Sequence, residues 1–232
     1  MNSNQLKTEM KRLGADLCGI ASVNRFNNCP AGFHPKDIYK ETKSIVSFAK
    51  RIPDSIVLSN SPVPYTSINE FVLNELIQIG YNTAIYLQNN GITALPIPSE
   101  PYEYWNEEIK EGKGILSLKY AGYLSGLGII GKNQLLTNIE YGNRINLGAL
   151  LLNIELEEDA IDTRSFCKPE CNLCITNCPG RAIKANYVEQ KLCRDKSGKT
   201  NKKGYFLYIC NTCRVICPYS KGYKNLNQTV KS

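Results

Sequence analysis

The sequence predicts an α+β protein followed by a small cysteine-rich domain, and two observations support this division. Candidate strands and helices mix without the strand–helix–strand rhythm of a parallel sheet, which favours a sheet with helices packed on it. Eight of the ten cysteines fall between Cys167 and Cys217, among short turns. We therefore expect an α+β domain over residues 1–160, a cysteine domain over 161–220 and a basic tail over 221–232.

The expected elements of the α+β domain follow from apolar periodicity and turn residues. A long helix is predicted to open at a capping box formed by Ser67 and Glu70 and to end before Gly91, which suits a left-handed C-terminal position. A proline-marked loop, SPVPYT, precedes this helix. In chain order, the other expected elements are a helix over 3–14, strands over 16–23, 44–50 and 92–98, a helix over 115–126, and strands over 134–138 and 145–156.

Composition and charge narrow the class of protein. No apolar run approaches the roughly 18–20 residues that cross a bilayer, and the N-terminal residues read as an amphipathic helix rather than a signal peptide. We therefore expect a cytoplasmic protein with no membrane partner. Residues 181–232 carry twelve Lys and Arg against two acids, whereas residues 1–180 carry sixteen against nineteen. This basic end suits nucleic acid or an acidic protein, although two anionic iron–sulfur clusters would offset part of the charge.

The cysteine spacing indicates two iron–sulfur clusters. Bacterial ferredoxins use C-x2-C-x2-C-x3-C-P, in which the last cysteine ligates the other cluster. Both halves of this region keep the last three cysteines and the proline, in CNLCITNCP and CNTCRVICP. The first cysteine is displaced by one residue in the first half, and in the second half it is separated from the next cysteine by sixteen residues.

This pattern implies two sets of four ligands. One [4Fe–4S] cluster is assigned to Cys167, Cys171, Cys174 and Cys217, and the other to Cys178, Cys193, Cys210 and Cys213. Two Cys₄ zinc sites are the alternative, but the paired endings before proline are typical of ferredoxins. Of the other cysteines, Cys18 is expected to be a buried small hydrophobe and Cys29 an inert loop thiol.

The segment GLGIIGKN, residues 126–133, matches two phosphate-binding patterns without their structural context. Gly126, Gly128 and Gly131 fit a dinucleotide fingerprint, which needs a preceding strand, and a P-loop needs Ser or Thr where Asn133 stands. A predicted helix precedes the segment instead. It is therefore either a helix-to-strand turn without a ligand or a loop that serves a different ligand.

Several further segments are characteristic: FHPKDIYKETKSIVSFAKRIP, SPVPYT, PIPSEPYEYWNEE, ILSLKYAGYLSGLG and GLGIIGKNQLLTNIEYGNRINLGALL. Through these segments and the cysteine motifs, nearly the whole chain, from about Gly14 to Tyr219, resembles cobalamin-dependent epoxyqueuosine reductases and their short anaerobic relatives and, more distantly, reductive dehalogenases. This resemblance implies a nitroreductase-like mixed sheet with flanking helices, followed by a small ferredoxin-like domain with two [4Fe–4S] clusters. It also implies a base-off corrinoid without a histidine ligand, which agrees with a single histidine, His34, standing before Pro35.

The resemblance further implies site residues. The glycine loop and the GNRINLG turn would line the corrin ring, through Gly126, Leu127, Gly128, Ile130, Gly131, Lys132, Asn133 and Arg144. The reductases carry an Asp in an F-V-D-S-A-P-V segment, whereas the corresponding stretch here, near EGKGILSLKY, has only Glu111 nearby. The candidate proton donors are therefore Lys119, Tyr120 and Tyr123, unless the two tyrosines simply pack against the sheet. Three further aromatics either floor a substrate pocket or cover the edge of the core: Tyr102, Tyr104 and Trp105.

Together these features predict an oxidoreductase. Electrons from an external ferredoxin or flavodoxin would pass through two [4Fe–4S] clusters to cobalamin, which reduces a small organic substrate. The alternative is an electron-transfer ferredoxin-type protein or activator without substrate turnover of its own, and a bound flavin is a third hypothesis. tRNA is the least favoured partner, because the sequence lacks the repeats that the reductases use for tRNA.

Overall fold

The computed structural model describes residues 1–164 and 166–224 of the chain. The helices are α1 Ser3–Arg12, α2 Pro35–Ile38, α3 Asp54–Val57, α4 Pro62–Gln88, α5 Leu118–Leu124, α6 Leu173–Thr176, α7 Gln190–Ser197 and α8 Thr212–Val215. The strands are β1 Leu17–Ser22, β2 Ser44–Arg51, β3 Ala94–Ile97, β4 Tyr104–Asn106, β5 Glu111–Lys113, β6 Ile129–Ile130, β7 Leu136–Thr137, β8 Ile145–Leu152, β9 Gly198–Thr200 and β10 Phe206–Tyr208. A 3-10 helix, Val23–Phe26, follows β1.

Four strands form the central sheet in the order β1–β2–β8–β3, and all three pairings are antiparallel. Val46 of β2 lies between Ile20 of β1 and Leu150 of β8. The prediction of a mixed sheet is therefore wrong for this sheet. β2 and β3 run in the same direction and are connected through α4, but β8 inserts between them and removes the parallel pairing.

Helices cover both faces of the sheet. α1 and α4 pack on one face, where Phe48 and Leu150 are almost completely buried. α5 packs on the other face, where Ala121 joins Ile45 in a second core. Because side chains alternate along a strand, the neighbours Ile45 and Val46 enter opposite cores. The predicted α+β architecture is confirmed.

Helix α4 begins earlier than the sequence predicts. Ser61 caps it, its hydroxyl accepting a hydrogen bond from a backbone N–H of the first turn, and Pro62 is the first helical residue. Proline is tolerated there because the first-turn N–H groups have no partner within the helix. SPVPYT is therefore largely helix rather than loop, and Ser67 and Glu70 lie inside the helix. The C-terminal prediction is confirmed, since Gly91 has a φ of 73°.

The cysteine-rich part consists of short elements with few buried residues. It contains α6, α7, α8 and the β9–β10 hairpin. Phe166 packs against Tyr219 and Tyr223, with ring centroids 5.1 Å and 5.2 Å away, and so ties the start of this part to its end. The predicted basic tail falls mostly on residues 225–232, which lie outside the described residues. In the part of the chain that the structure describes, no helix has both the length and the hydropathy of a bilayer-spanning segment.

Two glycines with similar backbone angles provide a test of the packing after α5. Gly126 has a φ of 74°, and a Cβ there would lie 2.4 Å from the carbonyl oxygen of Ala160. Gly91 has a φ of 73° but nothing within 4 Å of a Cβ. We predict that Gly91→Ala lowers the free energy of unfolding by about 1–2 kcal/mol, through the left-handed backbone alone. Gly126→Ala should lower it by about 2–4 kcal/mol, because the backbone must also shift. Denaturant unfolding measures both, and equal losses would contradict the contact with Ala160.

Candidate cofactor site

The structure brings the eight clustered cysteines together in two sets of four. Burial raises the pKa of Cys217 to about 11, and the nearby thiols of Cys174, Cys167 and Cys171 act in the same direction. One small cavity is lined by the same four side chains. These are the four cysteines that the spacing assigns to the first cluster.

The second set surrounds Cys213. Burial raises the pKa of this thiol to about 11; Arg214 opposes the rise, while the thiols of Cys193, Cys210 and Cys178 add to it. Among the described residues, which include all ten cysteines, no disulfide bond is formed. Among residues 1–164 and 166–224, no three Cys, His, Asp or Glu side chains meet closely enough to hold a single metal ion.

Cys18 is half-buried, and His34 lies at the start of the short helix α2. Cys18 packs against the core beneath α1 and α4, and burial raises its pKa to about 12. His34 caps the short helix α2, its Nδ1 accepting a hydrogen bond of 3.1 Å from Lys36 N. The histidine therefore has a local structural role.

The first half of the glycine loop packs against the protein itself. A Cβ at Gly128 would lie 2.3 Å from the carbonyl oxygen of Thr137. A Cβ at Gly126 would clash in the same way with the carbonyl oxygen of Ala160. Leu127 is buried in a small core with Leu136. α5 precedes this loop, so the strand that both nucleotide-binding patterns need is not there. Close backbone contacts within the protein thus account for the first two glycines.

The second half of the loop contacts both cysteine sets. Lys132 Nζ donates to the carbonyl oxygens of Pro169 at 2.6 Å and Cys171 at 2.8 Å. It also lies 3.3 Å from the carbonyl oxygen of Lys168 and 3.3 Å from Asn172 Oδ1, on the same loop. Asn133 Nδ2 donates to the carbonyl oxygen of Cys213 at 3.2 Å. These two residues therefore connect the α+β part to the loops that carry the thiols.

Two cavities lie beside α5 and divide the predicted proton donors between them. Lys119 lines a cavity of about 620 Å³ that also includes Cys193 of the second set. Tyr120 and Tyr123 line a cavity of about 440 Å³, together with the predicted cofactor residues Ile130, Gly131 and Lys132. The two cavities adjoin at Lys119. Its Nζ donates a hydrogen bond of 3.1 Å to Gln134 Oε1, and Gln134 lines the smaller cavity. Burial lowers the pKa of Lys119.

Arg144 is not brought together with the other predicted cofactor residues. It lines a separate cavity with Asp54, to which its guanidinium is paired at 2.7 Å. Its side chain is 3% exposed. The neighbouring Asn143 is also buried, and both polar atoms of its side chain lack a hydrogen-bond partner among the described residues.

The contacts that hold Cys193 are not predicted from the sequence. This cysteine lies in α7, which docks on the β4–β5 hairpin. Gln190 exchanges two hydrogen bonds with the backbone of Gly112, at 3.0 Å and 3.1 Å. The Arg194 guanidinium lies 4.7 Å from the centroid of the Trp105 ring. The only sequence signal was the position of these polar residues next to a predicted cluster ligand.

The aromatic residues of the hairpin have different surroundings. Tyr102 lines the 620 Å³ cavity, and Trp105 stacks on Tyr102 with ring centroids 6.4 Å apart. Tyr104 carries the ammonium of Lys113 over its ring at 4.9 Å. Of the three, only Tyr102 lines this cavity. Glu100, which the sequence analysis did not single out, lines the same cavity.

Replacing Gln190 tests whether the hairpin holds α7. We predict that Gln190→Ala lowers the local stability of residues 104–113 by about 1–3 kcal/mol. The backbone N–H and C=O of Gly112 would each lose the hydrogen bond that they make with the Gln190 side chain. Hydrogen exchange should then accelerate in the hairpin and α7. Gln88→Ala, at the exposed end of α4, is the matched control. Unchanged protection in the Gln190 variant would contradict this coupling.

No known protein-family model matches the chain. The chain is 29% identical over 203 residues to the epoxyqueuosine reductase of Listeria monocytogenes, covering 82% of this chain and 52% of that protein. It therefore spans about half the length of that relative.

Solved structures share the fold. An epoxyqueuosine reductase with an epoxyqueuosine-modified tRNA-Tyr stem loop matches with a TM-score of 0.64 and 18% identity, over 95% of this chain and 65% of that chain. A reductive dehalogenase, described with a mechanism for B12-dependent dehalogenation, matches with a TM-score of 0.67 and 18% identity, over 96% of this chain and 33% of that chain. The resemblance found in the sequence is confirmed.

Proposed function

We propose that this chain, a relative of the epoxyqueuosine reductases, is an oxidoreductase with two [4Fe–4S] clusters and a base-off corrinoid that reduces a small organic substrate. One observation carries the proposal. The 620 Å³ cavity is lined both by Cys193 of the second cysteine set and by Lys119, a candidate proton donor. A molecule bound there would adjoin a source of electrons and a source of protons.

The cysteine sets have the donor chemistry of iron–sulfur clusters, which are held by four thiolates each. Burial raises the pKa of Cys213 and Cys217, so free thiolates are unfavourable at these positions. A bound metal deprotonates its thiol ligands and so stabilises them. We propose one cluster on Cys167, Cys171, Cys174 and Cys217 and the other on Cys178, Cys193, Cys210 and Cys213.

The corrinoid would bind at the two cavities beside α5. Ile130, Gly131 and Lys132 would line one side. Residues 111–120, which correspond to the Asp-bearing segment of the reductases, would line the other side of the corrinoid. Gly112 and Leu116 of this stretch lie in the wall of the 620 Å³ cavity. When bound and reduced, a corrinoid supplies a strong nucleophile and reductant, and the protein supplies orientation and protonation.

Lys119 is the proton donor that we favour. Burial lowers its pKa, which brings the ammonium closer to the range where a general acid works near neutral pH. Glu100 lines the same cavity and offers a carboxyl group as an alternative. Tyr120 and Tyr123 would act only on a substrate that reaches the smaller cavity.

An external ferredoxin or flavodoxin would dock at the β9–β10 hairpin. This hairpin lies between Cys193 and Cys210 in the chain, and residues 196–209 contain no acid. Its exposed side chains include Lys199, Lys202, Lys203 and Tyr205. Charge complementarity guides such encounters, so an acidic redox protein would be drawn to the surface beside the second cysteine set.

Metal content tests the cofactors. Anaerobically reconstituted protein should contain about eight iron atoms per chain and retain cobalt after gel filtration with cobalamin. Cys167→Ser and Cys193→Ser should each halve the iron, because each removes a ligand of a different cluster. Cys29→Ser, outside both sets, should leave the iron unchanged.

The outcomes separate the competing functions. Zinc in place of iron would overturn the cluster assignment. Intact clusters without cobalt binding would favour the electron-carrier alternative over the corrinoid enzyme.

The donor surface is tested by charge. We predict that the triple variant Lys199→Ser, Lys202→Ser and Lys203→Ser slows reduction by an acidic flavodoxin several-fold at low salt. The difference should disappear at high ionic strength, where surface charges are screened. The charge-matched control replaces three lysines elsewhere on the surface: Lys36, Lys40 and Lys43. Equal slowing in both triple variants would show that only net charge matters.

A tRNA-borne substrate is the second possibility, favoured by the tRNA stem loop in a structure of the related reductase. If the chain acts on tRNA, it should bind tRNA with a binding constant whose logarithm falls linearly as the logarithm of the salt concentration rises. Binding of this kind, specific for modified tRNA, would replace the small organic substrate in the proposal.

A further inference from the structure

A cavity of about 430 Å³ lies apart from the proposed cofactor site and shares no lining residue with the two cavities beside α5. Its ionic side chains come from three separate segments of the chain. The lining residues are Arg51, Ile52, Pro53, Asp54, Glu140, Tyr141, Arg144 and Lys221. Three cations and two carboxylates thus face one cavity, which leaves a net charge of about +1 at neutral pH.

Arg144 is the buried cation of this cavity. Its guanidinium pairs with Asp54 Oδ1 at 2.7 Å and donates to Ser220 Oγ at 3.2 Å. Its Nε has no hydrogen-bond partner among the described residues, although the side chain is only 3% exposed. A buried guanidinium donor without an acceptor is costly. In the described part of the chain, Nη1 also lacks a hydrogen bond of good geometry, although it lies 2.7 Å from Asp54 Oδ1. Asp54 therefore compensates the guanidinium charge only in part, and this favours an anion in the adjoining cavity.

Asp54 is the partner that a ligand can displace. Its side chain is 54% exposed, and it is shared between Arg144 and Lys221, which lies 3.2 Å from its other carboxylate oxygen. The ion pair between Asp54 and Lys221 joins two exposed side chains and therefore contributes little to stability. A ligand with more negative charge and more acceptor oxygens would compete effectively for the same two cations.

We propose that this cavity binds the phosphate group of a small molecule. The exposed Lys221 and Arg51 offer charge-assisted N–H donors to a phosphate group at the rim, and the buried Arg144 adds positive charge. A phosphate dianion suits a cavity with three cations better than a single carboxylate does. The volume lies in the range of small-molecule sites, so there is room for a phosphate ester as well as for inorganic phosphate. The proposal depends on neither the clusters nor the corrinoid.

Calorimetric titration of the full chain tests this site with inorganic phosphate and with ribose 5-phosphate, at constant ionic strength set with chloride. Asp54→Asn should bind phosphate several-fold more tightly, because it removes the competing carboxylate. Lys221→Gln should bind about tenfold more weakly, because it removes one charge-assisted contact. Glu41→Gln, an exposed carboxylate outside the cavity, matches the charge change of Asp54→Asn and should leave affinity unchanged.

The outcomes decide the proposal and the source of the phosphate. Tighter binding of ribose 5-phosphate would identify a phosphorylated metabolite as the ligand, and binding of inorganic phosphate alone would identify free phosphate. No binding of either would overturn the proposal. Binding that Asp54→Asn and Lys221→Gln leave unchanged would also overturn it and would make Arg144 a purely structural residue.

Discussion

One ammonium group joins the two parts of this molecule. Lys132 Nζ lies within hydrogen-bond distance of four oxygen atoms, including the carbonyl oxygens of Pro169 and Cys171. Hydrogen bonds from a charged donor each contribute about 1.5–3 kcal/mol, and several acceptors leave the ammonium little freedom. Because Lys132 belongs to a loop that is fixed by close backbone contacts after α5, the position of the first cysteine set follows from the position of that loop.

A second contact region fixes the end of the cysteine-rich part. A Cβ at Gly142 would lie 2.3 Å from the backbone of Ser220, so the two chain segments meet backbone to backbone. Tyr223 N donates to the carbonyl oxygen of Ile139 at 2.8 Å. The segment that follows Cys217 is therefore pressed against the turn before β8. The glycine of this turn serves packing within the protein, as do the first two glycines of the loop after α5.

Local patterns were predictable, whereas long-range contacts were not. Strand β2 and the grouping of the cysteines follow from apolar runs and from spacing, which are local properties of the chain. The start of α4 was missed because Ser61 followed by Pro62 makes a second valid helix start a few residues before the capping box. The insertion of β8 and the separate cavity of Arg144 depend on contacts between residues far apart in sequence. Apolar periodicity reports only local structure and does not predict such contacts.

The departures from ferredoxin spacing are compensated by the α+β part. In a compact C-x2-C-x2-C motif, the chain itself positions the first three cysteines. Here the loop between Cys167 and Cys171 is one residue longer, and this is the loop whose carbonyl groups Lys132 binds. Cys193 is separated from its motif by sixteen residues, and it lies in the helix that Gln190 anchors to the β4–β5 hairpin. The two displaced cysteines are thus positioned by tertiary contacts, so the cysteine-rich part depends on the α+β part for its geometry.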